Sequence, residues 1–240
     1  MSQSNVAVIP ARKGSKRLPG KNTALLCGKP LICWTIDAAI NSRKFNRIIV
    51  STDDYAVIEM SRQYADLEIH LRESCLASDE ATVFTVLKYL VDEKFLPQEM
   101  GGICTLLLPT CPFRIAEDII NVTKLLDGDA DFVVSVKQYQ ESPQIALKID
   151  ENHNALLAWP NSPLSYGKTR SQDYQPLFHP NTGIYMAWVK SFKKLGSFFK
   201  GRVKAYAMPE DRSIDIDDEK DLLYAELIYN RLRKDDNDRL

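Results

Sequence analysis

What this chain lacks narrows its class before any motif is read. Uncharged stretches such as Ile103 to Phe113 fall far short of the roughly 20 apolar residues that span a bilayer, so no membrane span is expected. The opening Met-Ser-Gln-Ser-Asn runs directly into apolar Val6 to Ile9, with no basic n-region, h-region and cleavage site. Export is therefore not expected, and a cytoplasmic location is. Net charge is nearly absent too, 31 Lys plus Arg against 32 Asp plus Glu, so no overall positive field exists to hold a nucleic-acid backbone. Any phosphate binding has to be local. The five cysteines (27, 33, 75, 104, 111) form no Cys-x-x-Cys and stand at no metal-ligand spacing from the three histidines (70, 153, 179). They read as reduced core thiols rather than redox or zinc groups.

What is present is an ordinary globular composition: 240 residues, 45% apolar and 26% charged, which rules out a disordered or fibrous chain. Such a chain buries roughly three quarters of its unfolded surface. Short apolar runs bounded by turn residues alternate with helical patterns, the signature of a parallel sheet with crossover helices. Strands are expected at Asn5–Pro10, Arg47–Thr52, Leu67–Leu71, Gly102–Leu108 and Asp131–Val136, most of them apolar on both faces. Helices are expected at Leu31–Asn41, Tyr55–Tyr64, Thr82–Lys94 and Ala116–Leu126, where apolar residues recur at three and four. The fold class is therefore α/β, a mostly parallel, Rossmann-like sheet flanked by helices. Residues 138–180 break the pattern with five prolines and no clear helix, and read as an insertion. Strands at Thr182–Trp188 and Val203–Met208, a short helix at Lys190–Leu195 and a final helix at Asp218–Arg233 follow, and Lys234–Leu240 reads as a frayed, solvated tail.

Two constellations point to chemistry. The first strand leads into Ala11–Asn22, which carries five cations (Arg12, Lys13, Lys16, Arg17, Lys21) and two glycines, Gly14 and Gly20. Cations gathered at one strand end repel each other unless an anion joins them, and the crevice beyond the carboxyl ends of an open α/β sheet is where ligands bind. Glycines there let backbone amides approach phosphate oxygens. The bland alternative is a solvated basic loop. It is neither a Gly-x-Gly-x-x-Gly fingerprint nor a Walker A loop, because Ser162 stands where the only Gly-Lys-Thr, at 167–169, would need its first glycine. The second constellation is Ser213-Ile214-Asp215-Ile216-Asp217-Asp218, where strand alternation places Asp215 and Asp217 on one face. Paired carboxylates beside phosphates suit magnesium, while capping of the final helix is the competing role for Asp217 or Asp218. Together the loop and the carboxylates suggest chemistry on a nucleoside triphosphate. Two weaker polar sets at strand ends, Ser51-Thr52-Asp53-Asp54 and Pro109–Arg114, could read a base, ribose or sugar.

In order along the chain, Ile9-Pro10-Ala11-Arg12, Gly14–Asn22, Gly28–Ile32, Val50–Asp54, Leu76–Asp79, Leu107–Arg114, Thr169–Asp173, Asn181–Tyr185 and Ser213–Asp217 resemble the acylneuraminate cytidylyltransferases, the CMP-sialic acid synthetases. That resemblance implies a single nucleotidyltransferase domain over residues 1–240 and transfer of CMP from CTP to the anomeric hydroxyl of a nonulosonic acid, with release of pyrophosphate. It places Arg12, Gly14, Lys21, Asn22, Arg72 and Ser78 about the nucleotide, with Arg12 and Lys21 counted among the catalytic groups. Arg170, Asn181 and Tyr185 would face the sugar, and Asp215 and Asp217 would bind Mg2+. It makes 138–180 a dimerisation segment and the protein a homodimer, with Lys21 and the metal stabilising the departing pyrophosphate and no general base visible.

Departures from the family pattern gather in the sugar half: Leu108 for a common Gln, Cys111 for Ser, Ile145 for a Lys after Ser142-Pro143, and Thr182-Gly183 for Gly-Ala. A related nonulosonic acid, such as legionaminic or pseudaminic acid, is thus a live alternative to sialic acid. A CMP-Kdo-type synthetase and a nucleotide-binding protein without turnover are the alternatives.

Overall fold

The first strand, β1 (Asn5–Ala11), is buried along its whole length, which requires neighbours on both edges and both faces. In the computed structural model, which describes residues 4–78, 80–98, 101–170 and 174–237, β4 (Arg47–Thr52) and β6 (Ile103–Leu107) supply the edges, both parallel to β1. Outside β4 lies β5 (Leu67–Leu71), again parallel. On the other side β10 (Phe178–Trp188) runs antiparallel to β6, followed by β7 (Phe132–Gln138) and β11 (Val203–Ala207), which are parallel to each other. The seven-stranded order is β11-β7-β10-β6-β1-β4-β5. The expected α/β class, with a mostly parallel sheet, is what the chain adopts.

Strand alternation explains the layers. Ala7, Ile9 and Ala11 point to one face, where α1 (Leu31–Ser42) brings Ile32 and Ile36 and α5 (Ala116–Leu125) brings Ile119 and Val122. Val6 and Val8 point to the other, against Val86, Leu87 and Leu90 of α4 (Val83–Asp92) and Phe192 of α6 (Val189–Leu195). A third cluster seats the final helix, α7 (Glu219–Asn237), through Ala225 and Ile228 on Leu26, Leu31, Phe113, Ile214 and Ile216. Leu26 belongs to a two-residue ribbon, β2 (Leu25–Leu26) with β3 (Lys29–Pro30). Two short helices, α2 (Tyr55–Ser61) and α3 (Ser74–Ala77), complete this unit.

The structure moves several expected boundaries. The strand expected from Thr182 begins at Phe178, and the helix expected to end at Arg233 continues to Asn237, so the tail read as frayed is helical at least that far; residues 238–240 lie outside the described set. Ser213–Asp217 is not a strand but an irregular segment, though its burial still alternates, with Ile214 and Ile216 buried and the aspartates half-buried. A non-strand backbone holds that alternation because Ile216 N donates to Thr110 O (2.7 Å) and both isoleucines fill the third cluster.

The chain divides into one unit of residues 1–136 and 180–240 and a second of Lys137–His179. Among its described residues the second unit holds a hairpin, β8 (Leu147–Ile149) with β9 (Ala155–Leu157), and single turns of 3-10 helix at Pro143–Ile145 and Pro163–Tyr166. Ser142 and Ser162 open these turns by accepting from the amides two residues on, with proline next in line. Proline thus starts each turn, and the second stops at Gly167, which is in the left-handed region (φ 68°).

Asp118 anchors the segment that leads into the paired aspartates. It is fully buried, its Oδ2 accepts from Ile115 N (3.0 Å) to start α5, and Arg212 donates to both its oxygens (2.9 and 3.1 Å) while Tyr206 Oη donates at 3.0 Å. Arg212 closes the turn immediately before Ser213, so this ion pair ties α5 and β11 to the aspartate segment. Neutralising Asp118 leaves Arg212, a quarter exposed, without its carboxylate and weakens the bonds that Ile115 N and Tyr206 Oη give to it, together a loss of roughly 3 kcal/mol. Asp118→Asn should lower the unfolding free energy by about 3 kcal/mol in urea denaturation; a loss below about 1 kcal/mol would mean that the pair is not holding the turn.

Candidate active site

The chain runs from β1 outward through β4 to β5 and then returns to β6 on the opposite side of β1, which makes the carboxyl ends of β1 and β6 the point where strand order reverses. Loops diverge there and leave a crevice. A cavity of about 430 Å³ occupies it, walled by Arg12, Arg17, Lys21 and Asn22 from the loop after β1 and by Leu108 and Thr110 from the loop after β6.

The cationic loop is held from behind. Thr52 Oγ1 donates to Ala11 O (2.5 Å), Asp53 Oδ1 accepts from Lys13 N (2.8 Å), and Asn22 Nδ2 donates to Arg12 O (2.9 Å). Arg12 reaches Ser78 O (3.1 Å), which brings two of the expected nucleotide residues together. Of the two glycines, only Gly20 is in the left-handed region (φ 67°), where it opens the turn at Lys21–Thr23. Gly14 has an ordinary φ and open space where a Cβ would stand, so the fold itself does not require it.

Asp217 faces this loop. Lys21 Nζ donates to its Oδ1 (2.9 Å) and to Ile216 O (3.2 Å), and Arg17 meets its Oδ2 at 2.8 Å. Burial alone would raise the Asp217 carboxyl, but Lys21 and Arg17 outweigh it and hold it below the usual carboxylate range. Asp215 is in the opposite condition. Burial pushes its carboxyl up, the Asp217 charge pushes the same way, and its Oδ1 is buried without a hydrogen-bond partner. Asp218 resolves the capping question: its Oδ1 accepts from Lys220 N and Asp221 N, and Asp221 returns a bond to Asp218 N, a reciprocal cap on α7. Asp217 is left for the crevice. Among the described residues no cluster of three or more His, Cys, Asp or Glu could hold a metal ion, so the protein offers two carboxylates here. An orphaned carboxylate oxygen next to a second carboxylate fits a hard cation whose other ligands come from phosphate and water.

Arg72 follows β5 and is buried, with no ion pair to a carboxylate among the described residues. Its Nε donates to Ser51 Oγ (3.0 Å), while one terminal nitrogen is buried with no partner. Burial, partly offset by Asp53 and reinforced by Arg12, brings it down to about 10. The polar set at the end of β4 therefore serves as wiring and not as a reading surface: Thr52 and Asp53 brace the first loop, Asp54 caps α2, and Ser51 holds Arg72. The set after β6 divides. Thr110 lines the cavity, whereas Arg114 is fully buried and donates to Gly183 O (2.5 Å), Thr35 Oγ1 (2.7 Å) and Leu108 O (3.4 Å), pinning that loop to β10 and α1.

Of the residues expected at the sugar, Asn181 is 1% exposed and its amide is fully engaged, accepting from Ser135 Oγ and Gly183 N and donating to Ser213 Oγ. Tyr185 is buried among Phe84, Phe198 and Phe199, with its hydroxyl pushed up to about 12 by burial and then by Asp215 and Cys111. Arg170 is exposed on the second unit; Asp173, its alternative partner in a surface turn, lies outside the described residues, as do Ser171, Gln172 and Asp79. Of the family departures, Leu108 lines the cavity, Cys111 is buried with its thiol toward Arg212 O, and Ile145 lies on the second unit. Thr182 occupies the left-handed region (φ 60°), a strained place for a β-branched side chain, and a Cβ on Gly183 would meet Met208 Sδ and Ser135 Oγ at 3.0 Å. The small residue is needed at 183, and the strain falls on 182. Arg17 was not singled out from sequence as a site residue, because its partner is 200 positions away and no local spacing joins them.

A cation-walled crevice at the switch point of a parallel sheet, backed by two carboxylates, defines an α/β protein built to take a polyanion. The chain belongs to the cytidylyltransferase family, whose profile it matches over residues 6–221. It is 33% identical to an N-acylneuraminate cytidylyltransferase of Streptococcus agalactiae serotype V over 92% of this chain, but spans only about half (52%) of that protein. It is 37% identical to a CMP-N,N'-diacetyllegionaminic acid synthase of Legionella pneumophila (88% of this chain, 90% of that one) and 27% identical to a pseudaminic acid cytidylyltransferase of Campylobacter jejuni (94% and 96%). Among solved structures, a CMP:2-keto-3-deoxy-manno-octonic acid synthetase complexed with CTP superposes with a TM-score of 0.65 at 16% identity over 95% of this chain and 99% of that one. That likeness shows the fold.

The orphaned Asp215 oxygen has a consequence for stability. A carboxyl whose value is raised in the folded state costs nothing at low pH, and the penalty grows as pH rises from the ordinary value through the raised one. Asp215→Asn should therefore melt higher than the parent at pH 7 without ligand, by about 2–4 °C for a gain of about 1 kcal/mol. The gain should vanish near pH 4 or below, close to the ordinary value of about 3.9. Thermal melts across that range check it; a mutant that melts lower at pH 7 would show that Asp215 is satisfied in the ligand-free protein.

Proposed function

We propose that this chain moves CMP from CTP to the anomeric hydroxyl of a nonulosonic acid and releases pyrophosphate. The observation that carries the reading is the meeting of Lys21, Arg17 and Asp217 at the crevice, on a chain that matches the cytidylyltransferase family over residues 6–221. A triphosphate entering there competes for Lys21 and Arg17, which now neutralise Asp217. Arg12, with its guanidinium against Ser78 O, lies on the same wall for the nucleotide, and Asn22 braces the loop through Arg12 O. Lys21, half-sheltered and held by Asp217, places a positive charge where a leaving pyrophosphate gathers negative charge. Released from those cations, Asp217 joins Asp215 as the pair that would hold Mg2+. When bound, the ion supplies neutralisation of phosphate charge and polarisation of the phosphoryl group.

The sugar class rests on the relatives, whose names denote sialic, legionaminic and pseudaminic acids, and on their coverage, nearly the full length of the last two. The function is tested by supplying CTP, magnesium and each of these three acids in turn and measuring pyrophosphate. Release with at least one acid, abolished by chelation of the metal, supports the reading. No release with any acid, or activity with UTP or dTTP and none with CTP, overturns it.

For the sugar carboxylate we assign Arg170, since a guanidinium engages a carboxylate in a two-pronged geometry that Lys cannot reproduce. Arg170→Lys should raise the KM for the sugar at least ten-fold and leave the KM for CTP within about two-fold, in kinetics with each substrate varied in turn. Equal effects on both would remove Arg170 from that role.

A homodimer is the assembly this reading implies. On the second unit the hairpin leaves Ile149 (73%), Leu156 (53%) and nearby Trp159 (54%) exposed, an apolar surface that a partner can cover. Ile149→Asp should shift the protein from dimer to monomer in sedimentation velocity; a wild type that sediments as a monomer would overturn the assignment.

A further inference from the structure

Three side chains outside the cavity lining form a buried chain of hydrogen bonds, of which the proposed reaction uses neither Ser51 nor His70. Ser51 Oγ stands 3.0 Å from Arg72 Nε and 3.0 Å from His70 Nδ1, and all three residues are at least nine-tenths buried. Arg72 Nε has only a proton to give, so Ser51 accepts from it. The single Ser51 proton then has His70 Nδ1 as its acceptor, which requires a neutral ring carrying its proton on Nε2. The ring is fixed in that orientation by Phe95 and Tyr89, whose centroids lie 5.2 and 5.8 Å away.

The direction of this chain matters because of where it ends. Arg72 also gives its backbone amide to Thr52 O (2.9 Å), yet one terminal nitrogen of its guanidinium is buried with no partner. A buried donor left unsatisfied is costly, and a native fold tolerates one where a ligand completes it. Ser51, which holds this guanidinium, adjoins Thr52 and Asp53, the residues that brace the loop after β1, so Arg72 stands behind the loop that walls the crevice.

We propose that Ser51 and His70 are positioning residues: His70 holds the Ser51 hydroxyl, Ser51 holds Arg72 Nε, and the guanidinium is thereby fixed with its unpartnered nitrogen kept for an acceptor on the bound nucleotide. This rests on the CTP reading above and adds to it the device that aims Arg72. Neither Ser51 nor His70 touches the nucleotide. Their effect passes entirely through Arg72, which is what separates this role from a general contribution to the fold.

That separation is measurable as a double-mutant cycle on CTP binding, by titration calorimetry with the full chain. Ser51→Ala should weaken CTP binding about ten-fold and Arg72→Ala at least as much, while the double variant should bind no more weakly than Arg72→Ala alone. Losses that multiply in the double variant, or a Ser51→Ala protein that binds within two-fold of the parent, overturn the relay and leave the function standing. A parent that binds no CTP brings down the function and with it the ligand given to Arg72. Nitrogen NMR of His70 in the unmodified protein is independent of any variant's folding. An unprotonated Nδ1 and protonated Nε2 support the relay, and a protonated Nδ1 overturns it.

Discussion

Asp217 is the point on which the rest of the site depends. It accepts Lys21 from 196 positions earlier in the chain and Arg17 from the same loop, so one carboxylate closes the first loop onto the last irregular segment. Without it, Lys21 and Arg17 would lose the carboxylate that holds them side by side at the carboxyl edge of the sheet. The pair is partly open to water, so its worth as a surface ion pair is modest. Its value is geometric: it keeps two cations at the crevice, in contact with a group that a triphosphate can displace.

Two arginines, Arg114 buried and Arg212 half-buried, set the frame around that contact by different means. Arg212 is neutralised by Asp118 and fixes the turn before the aspartates, while Arg114 gives both terminal nitrogens to carbonyls and a hydroxyl and fixes the loop after β6. Arg72 completes the set as the one with a terminal nitrogen left over. A guanidinium has five donors in a rigid fork; in Arg114 the nitrogen left over is Nε, while in Arg72 it is a terminal nitrogen.

The two aspartates divide the electrostatic labour in the same spirit. Asp217 is held ionised by its cations, and Asp215 is driven the other way by burial and by its neighbour. Such opposed environments for adjacent carboxylates are characteristic of functional sites, where strain in the empty protein is relieved by what binds. Thr182, strained in the left-handed region on the strand that borders this segment, adds to the same reservoir.

The sequence by itself determined the α/β class, most strand positions and the cationic character of Ala11–Asn22, because hydrophobic periodicity and the charge of one loop are local properties. It also determined that Asp215 and Asp217 share a side, since alternate burial of Ile214 and Ile216 enforces this even where no strand forms. Only the tertiary structure decided what those residues meet. The strand-end set Ser51–Asp54 reads in sequence as a ligand surface, yet three of its members turn inward because the parallel neighbours β1 and β5 bring acceptors and donors to them. Asn181 likewise turns to Ser135 and Ser213, partners 46 and 32 positions away. Arg17 finds its carboxylate across almost the whole chain. Each of these contacts depends on which strands lie side by side, and strand order is a global outcome of packing that no window of sequence contains.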